Sequence, residues 1–190
     1  MVQSNVALRA ETPSVEFGLV YAETFPAVWR AVGKLGVPKA ARDDVVQDIF
    51  VAVFRRLGDF RGESTLKTWV FSIAIRIVSN YRRTNQRKGA GRALDTEVDD
   101  PALLVDDRET ALDVVARREA MQLVDRVLSG LGQEKAMVFV LAEFEAMTVA
   151  EISVILGLNI NTAASRLRAA RREFEQQVMS LDSAHELGKE

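Results

Sequence analysis

The chain has 190 residues, 48% of them hydrophobic, enough for one domain or two small ones with packed cores, and its four prolines and two tyrosines argue against an all-β fold. It has no cysteine and one histidine, His185, which excludes disulfides and thiolate metal sites and leaves no basis for a histidine-built zinc site or triad, so no metal and no cofactor is expected. The net charge of −2 hides strong patterning: residues 61–92 carry eight bases against the single acid Glu63, and residues 95–113 carry eight acids against the single base Arg108.

No basic start followed by an apolar signal segment is visible, and no apolar run approaches the roughly 20 residues that span a bilayer, so the expectation is a cytoplasmic chain without membrane insertion. Residues 1–13 read as a flexible tail. From about residue 15, Phe17, Val20, Phe25, Val28, Trp29 and Val32 recur at helical spacing; Pro26 is expected to kink or divide that helix, and Gly33, Gly36 and Pro38 to end it. A second helix is predicted over about 39–57, burying Val45, Ile49, Val53 and Leu57 at a strict four-residue recurrence. Its flank carries Asp44, Gln47, Asp48 and Val51, either simply solvated or a docking surface.

The segment Gly58-Asp59-Phe60-Arg61-Gly62-Glu63-Ser64 reads as a loop, with glycines bracketing an aromatic and an arginine. A third helix is predicted over about 65–86. Leu66, Trp69, Val70, Ile73, Ile77 and Tyr81 form its apolar side, and Thr65, Thr68, Ser72, Arg76, Ser79 and Arg83 the opposite one, which ends in the basic cluster around Arg82 and Arg83. Such a face suits a nucleic-acid backbone, and Phe60 or Tyr81 offers a ring to an unstacked base. Residues 90–108 read as an acidic linker. Helical pattern resumes from about residue 108 through Leu112, Val115, Val124, Val127 and Leu128, stops near Gly130 and Gly132, and returns at Met137, Val140, Leu141 and Phe144.

Thr148 and Glu151 have capping-box spacing, Gly157 can end a short helix, and Asn159 can cap the next, so the connection has the length of a helix-turn-helix. In the second helix of that unit, Ala163, Leu167, Ala170, Phe174 and Val178 make an apolar stripe. Asn161, Ser165, Arg168 and Arg172 line the other side with Thr162 and Arg166 beside them, and no acid occurs from Asn161 to Arg172. Amides, hydroxyls and guanidinium groups are the side chains that bond base edges and phosphates, although a solvated basic helix shows the same pattern.

Taken in order, these segments resemble a bacterial RNA polymerase sigma factor of the extracytoplasmic-function (ECF) type over about residues 15–89 and 109–179. Asp44-Val45-Val46-Gln47-Asp48-Ile49-Phe50 is similar to the family's helix that docks on the polymerase β′ clamp helices. Phe60-Arg61-Gly62-Glu63, Thr68-Trp69, Ile73-Ala74 and Arg82-Arg83 are similar to the segment that opens and reads the −10 element. Thr162, Ser165-Arg166-Leu167, Ala170 and Arg171 match the recognition helix for the −35 element. Ile75-Arg76, Asn80, Ala164 and Leu66 depart from the commoner pattern.

The resemblance implies an all-α protein of two small helical domains, 14–89 and 109–181, joined by the acidic linker, with a helix-turn-helix in the second and a short tail, 182–190. Its expected partners are core RNA polymerase, through the β′ clamp helices and β flap, promoter DNA both duplex and melted, and an anti-sigma factor. The sites it implies are Asp44, Gln47, Asp48 and Val51 for polymerase; Phe60, Arg61, Gly62, Glu63, Ser64, Arg76, Arg82 and Arg83 for the −10 element; and Asn161, Thr162, Ser165, Arg166, Arg168 and Arg171 for the −35 element. Binding and strand separation, not covalent catalysis, would be its work. A stand-alone helix-turn-helix regulator is the competing reading, and an enzyme a remote third, since no phosphate loop, metal cluster or paired catalytic carboxylates can be found.

Overall fold

The structure is a computed structural model and describes residues 16–87 and 110–187. The predicted linker, 90–108, and the predicted N-terminal tail, 1–13, fall outside the described residues, whereas residues 182–187 of the predicted C-terminal tail continue the last helix. Among the described residues seven α-helices succeed one another: α1 (Phe17–Lys34), α2 (Lys39–Arg56), α3 (Leu66–Arg87), α4 (Ala111–Gly130), α5 (Gln133–Phe139), α6 (Val149–Leu156) and α7 (Ile160–Leu187). A 3-10 turn, Leu57–Asp59, follows α2, and a π turn, Val140–Phe144, continues α5. Among the described residues there is no strand.

The first three helices pack on one another around Val20, Val28, Val32, Ile49, Val53, Val70 and Phe71, each essentially without exposed surface. The strict recurrence in α2 is what places Val45, Ile49 and Val53 on one line facing this core. Pro26 neither divides nor ends α1, which runs unbroken through it. The carbonyl that loses its helical donor there belongs to Ala22, which is exposed and so open to water. A second layer forms where α7 packs on α5 and α6 through Ala163, Leu167 and Ala170, against Val138, Leu141, Ile152 and Ile155. Two helices of this unit begin with reciprocal caps, Thr110 with Asp113 on α4 and Thr148 with Glu151 on α6.

The two layers touch. Helix α6 lies against α3 and the π turn against α1, so that buried residues from both halves join in one contiguous cluster. Contact between the halves leaves part of the expected polar side of α3 covered: Thr68 is 1% exposed.

Candidate nucleic-acid and polymerase interface

The helix-turn-helix is built by local chemistry. The Thr148 backbone N–H and hydroxyl both donate to Glu151 Oε2, at 2.9 and 2.8 Å, while the Glu151 N–H donates to Thr148 Oγ1 at 3.3 Å. Those bonds favour the charged carboxylate, so the backbone N–H and then the hydroxyl of Thr148 hold the Glu151 pKa below its ordinary 4.5, with smaller help from Thr68 and Lys67 against a modest burial effect. Gly157 follows α6 at φ 62°, a left-handed conformation that a side chain would strain, and Asn159 Oδ1 accepts from the Asn161 N–H at 2.9 Å to start α7.

This linkage gives a pH prediction. A depressed folded-state pKa contributes stability that is fully present above the unfolded value and is lost as pH falls through the lower folded value. Acidification from about pH 5 should therefore lower the melting temperature of the helix-turn-helix, and Glu151→Gln should flatten that part of the profile when followed by circular dichroism.

Of the expected −35 residues, Asn161, Thr162, Ser165 and Arg168 stand exposed together at the start of α7, with Arg172 one turn further along. The Ser165 hydroxyl donates to the Thr162 carbonyl at 3.0 Å and keeps its lone pairs for an incoming donor. Arg166 and Arg171 are placed differently. Arg166 Nη2 lies 2.8 Å from Glu134 of α5, and Arg171 donates through Nε at 2.8 Å and Nη2 at 2.7 Å to Glu143 of the π turn. The two arginines flank the buried stripe of α7 and brace it, Arg166 against α5 and Arg171 against the π turn that continues α5.

The loop before α3 turns at Gly62, whose φ of 71° only glycine adopts without strain, with Arg61 and Glu63 exposed on either side. Phe60 is half-buried, its ring 5.4 Å from that of Trp69, and Ser64 donates to the Thr65 carbonyl at 3.3 Å. Arg76 and Arg83 are exposed, and Arg83 is steadied by Asn80 Oδ1 at 3.1 Å. Arg82 is only 7% exposed, so the position expected beside a DNA backbone lies largely inside the fold.

On α2, Asp44, Gln47, Asp48 and Val51 share one flank. Beside it runs a groove of about 500 Å³ between α1 and α2, apolar along Phe17, Tyr21, Phe25, Phe50 and Phe54, with Asp43, Asp44 and Gln47 at its edge. Tyr21 lies 4.7 Å from Phe50 and Phe17 5.2 Å from Phe54, ring centre to ring centre. Phe54 nevertheless remains 63% exposed. Four-residue spacing of Phe17, Tyr21 and Phe25, and of Phe50 and Phe54, is the groove's signature in the sequence. Among the described residues no cluster of metal-ligating side chains occurs, and no helix is long and apolar enough to cross a membrane.

Comparison with known proteins gives this arrangement its family. Residues 20–88 match the profile of Sigma-70 region 2, which spans the aromatic groove and the Phe60–Arg83 face, and residues 121–174 match Sigma-70 region 4, which holds the helix-turn-helix. The ECF RNA polymerase sigma-E factor of Escherichia coli K12 is 27% identical over 148 residues, covering 76% of this chain and 78% of that protein. The RNA polymerase sigma factor NccH of Alcaligenes xylosoxydans is 27% identical over 169 residues, 87% and 88% of the two chains. Among solved structures, CnrH in complex with the cytosolic domain of CnrY aligns with a TM-score of 0.63 at 25% identity, over 86% of this chain and 88% of that one. The sigma factor RpoE of Bartonella quintana, in complex with the anti-sigma factor NepR, aligns with a TM-score of 0.65 at 20% identity, over 86% and 96%.

A region 2 and a region 4 in this order define a sigma-70-type specificity subunit. Within that class the chain belongs to the ECF sigma factors, the promoter-specific subunits with which core RNA polymerase initiates transcription.

Proposed function

We propose that the exposed edge formed by Asn161, Thr162, Ser165 and Arg168 reads the −35 element in the major groove, while the Phe60–Ser64 loop with Arg76 and Arg83 takes up the −10 element and holds a base flipped from the melted strand. The observation that carries the first assignment is the acid-free, solvent-facing start of α7. Arg166 and Arg171 contribute as braces, with phosphate contacts open to them only if their carboxylate partners yield. Core polymerase docks on the Asp44, Gln47, Asp48 and Val51 face through its β′ clamp helices, and its β flap receives the second domain. The chain works by binding in the cytoplasm and performs no covalent chemistry. CnrH and RpoE are each held by a partner in their complexes, and the same kind of anti-sigma control is assigned to this chain.

The test is run-off transcription from a fragmented genomic library with core polymerase, with and without the chain. Chain-dependent discrete transcripts are expected. Their absence, together with specific duplex binding by the chain alone, would move the assignment to a stand-alone regulator. On a promoter found this way, Arg168→Ala should weaken the holoenzyme about 5- to 150-fold, the range for losing about 1–3 kcal/mol of base or phosphate contact, while polymerase binding and melting temperature hold.

A further inference from the structure

Four arginines lie in the acid-free stretch from Asn161 to Arg172, and the fold divides them into two kinds. Arg168 and Arg172 stand exposed along the edge that carries Asn161 and Ser165. Arg166 and Arg171 lie on its two flanks. At roughly 100° per residue, Arg166 is turned about 130° from the centre of that edge in one direction and Arg171 about 90° in the other. Among the described residues, it is the flanking pair that meets carboxylates. Glu134 of α5 lies 2.8 Å from Arg166 Nη2, and Glu143 of the π turn accepts from Arg171 Nε at 2.8 Å and Nη2 at 2.7 Å.

Bracing is a small part of what such pairs do. The Glu134 side chain is 72% exposed, and Arg171 and Glu143 are 51% and 36% exposed. Ion pairs so open to water contribute little to stability. Their larger effect falls on an approaching polyanion, and here the inference rests on α7 as the −35 reader proposed above. The major groove is about 12 Å wide and a helix with its side chains about 10–12 Å across, so α7 would fill it. The edge then faces the bases, while long flanking side chains reach toward the phosphate walls. Phosphate contacts hold every sequence alike, whereas base contacts discriminate.

We propose that Glu134 and Glu143 form a charge screen on the two flanks of α7, occupying the arginines that would otherwise grip phosphate on any duplex. Arg168 and Arg172 stay charged and open on the edge. Each carboxylate also repels the phosphate whose place it takes. The sequence-blind part of the chain's hold on DNA is thereby kept low, and the base-reading part is left intact.

The test is fluorescence anisotropy of the full chain on a labelled duplex of scrambled sequence, titrated over a range of salt. An arginine that neutralises one phosphate steepens log affinity against log salt by about 0.9. Glu134→Gln and Glu143→Gln should each steepen the slope by about that amount, and the combined variant by about twice it. Between roughly 50 and 200 mM salt, a single variant's advantage over the native chain should shrink about 3.5-fold. The steepening should vanish when Arg166→Gln accompanies Glu134→Gln, or Arg171→Gln accompanies Glu143→Gln. An unchanged slope in the combined variant would overturn the screen, and so would a steepening that survives loss of the arginines. A lowered melting temperature with the native slope would leave the two acids as braces alone. The scrambled duplex holds no promoter, so the slope is independent of sequence reading. Holoenzyme that binds intact and scrambled −35 elements equally would instead sink the reading of α7, and the slope would still decide the screen.

Discussion

Leu167→Ala should cost the second domain about 2–5 kcal/mol, seen as a large drop in its urea or thermal midpoint by circular dichroism. Leu167 is 5% exposed in the row with Ala163 and Ala170 that joins α7 to α5 and α6. Removing three carbons there leaves a void whose walls, α5 and α6, are pinned by the Arg166–Glu134 pair and the Thr148 cap, so collapse to fill it is restricted. Promoter binding would be lost as a consequence of unfolding. That outcome differs from Arg168→Ala, where binding falls at constant stability, and the pair separates a residue that builds the reader from one that reads. A Leu167→Ala chain with an unchanged midpoint would show that α7 is not held by this stripe.

Polymerase assembly should respond as strongly to the α2 face. Phe54→Ala is expected to weaken holoenzyme formation about 30-fold, the effect of losing roughly 2 kcal/mol at an aromatic anchor, because Phe54 is largely exposed beside the groove and adds little to the core. Asp48→Lys on the same helix should weaken it in the same direction without shifting the melting temperature, since Asp48 is exposed. Pull-down on immobilised core polymerase measures both. Undiminished assembly by the two variants would remove α2 from the docking surface.

What the sequence disclosed was chiefly local. Thr148, Glu151, Gly157 and Asn159 act within a few residues of themselves, and each does in the fold what its spacing implied. Thr110 with Asp113 carries the same signature and starts α4 in the same way. Residues whose roles depend on a distant partner were not legible. Arg166, Arg171 and Arg82 look alike in a helical wheel as basic residues near a DNA face. In the fold Arg82 is buried, Arg166 is paired with Glu134, and Arg171, though exposed, is paired with Glu143, whereas Arg168, Arg76 and Arg83 stand exposed. Thr68 falls on the polar side of α3, and the second domain covers it. Glu145 stands out least, since an acid two residues after Glu143 reads as solvated until Arg30 and Lys67 are found around it.

The π turn sets the rotational phase between everything before and after it. From Val140 to Phe144 the helix is widened, the Glu145 N–H reaching back to the Val140 carbonyl at 3.2 Å and the Met147 N–H to Leu141 at 3.0 Å, before Ala146 reverses the path at φ 52°. Each residue in a regular helix advances it by roughly 100°. Loss of one residue from this stretch would let α5 continue as an ordinary helix and would swing Glu145 by about that angle, away from Arg30 and Lys67. The segment from Val149 onward carries its own cap and turn, and so would keep its internal form. A single codon's worth of length in the π turn thus governs whether α5 and the helix-turn-helix that packs on it keep their register, and with it where Glu145 meets the first half.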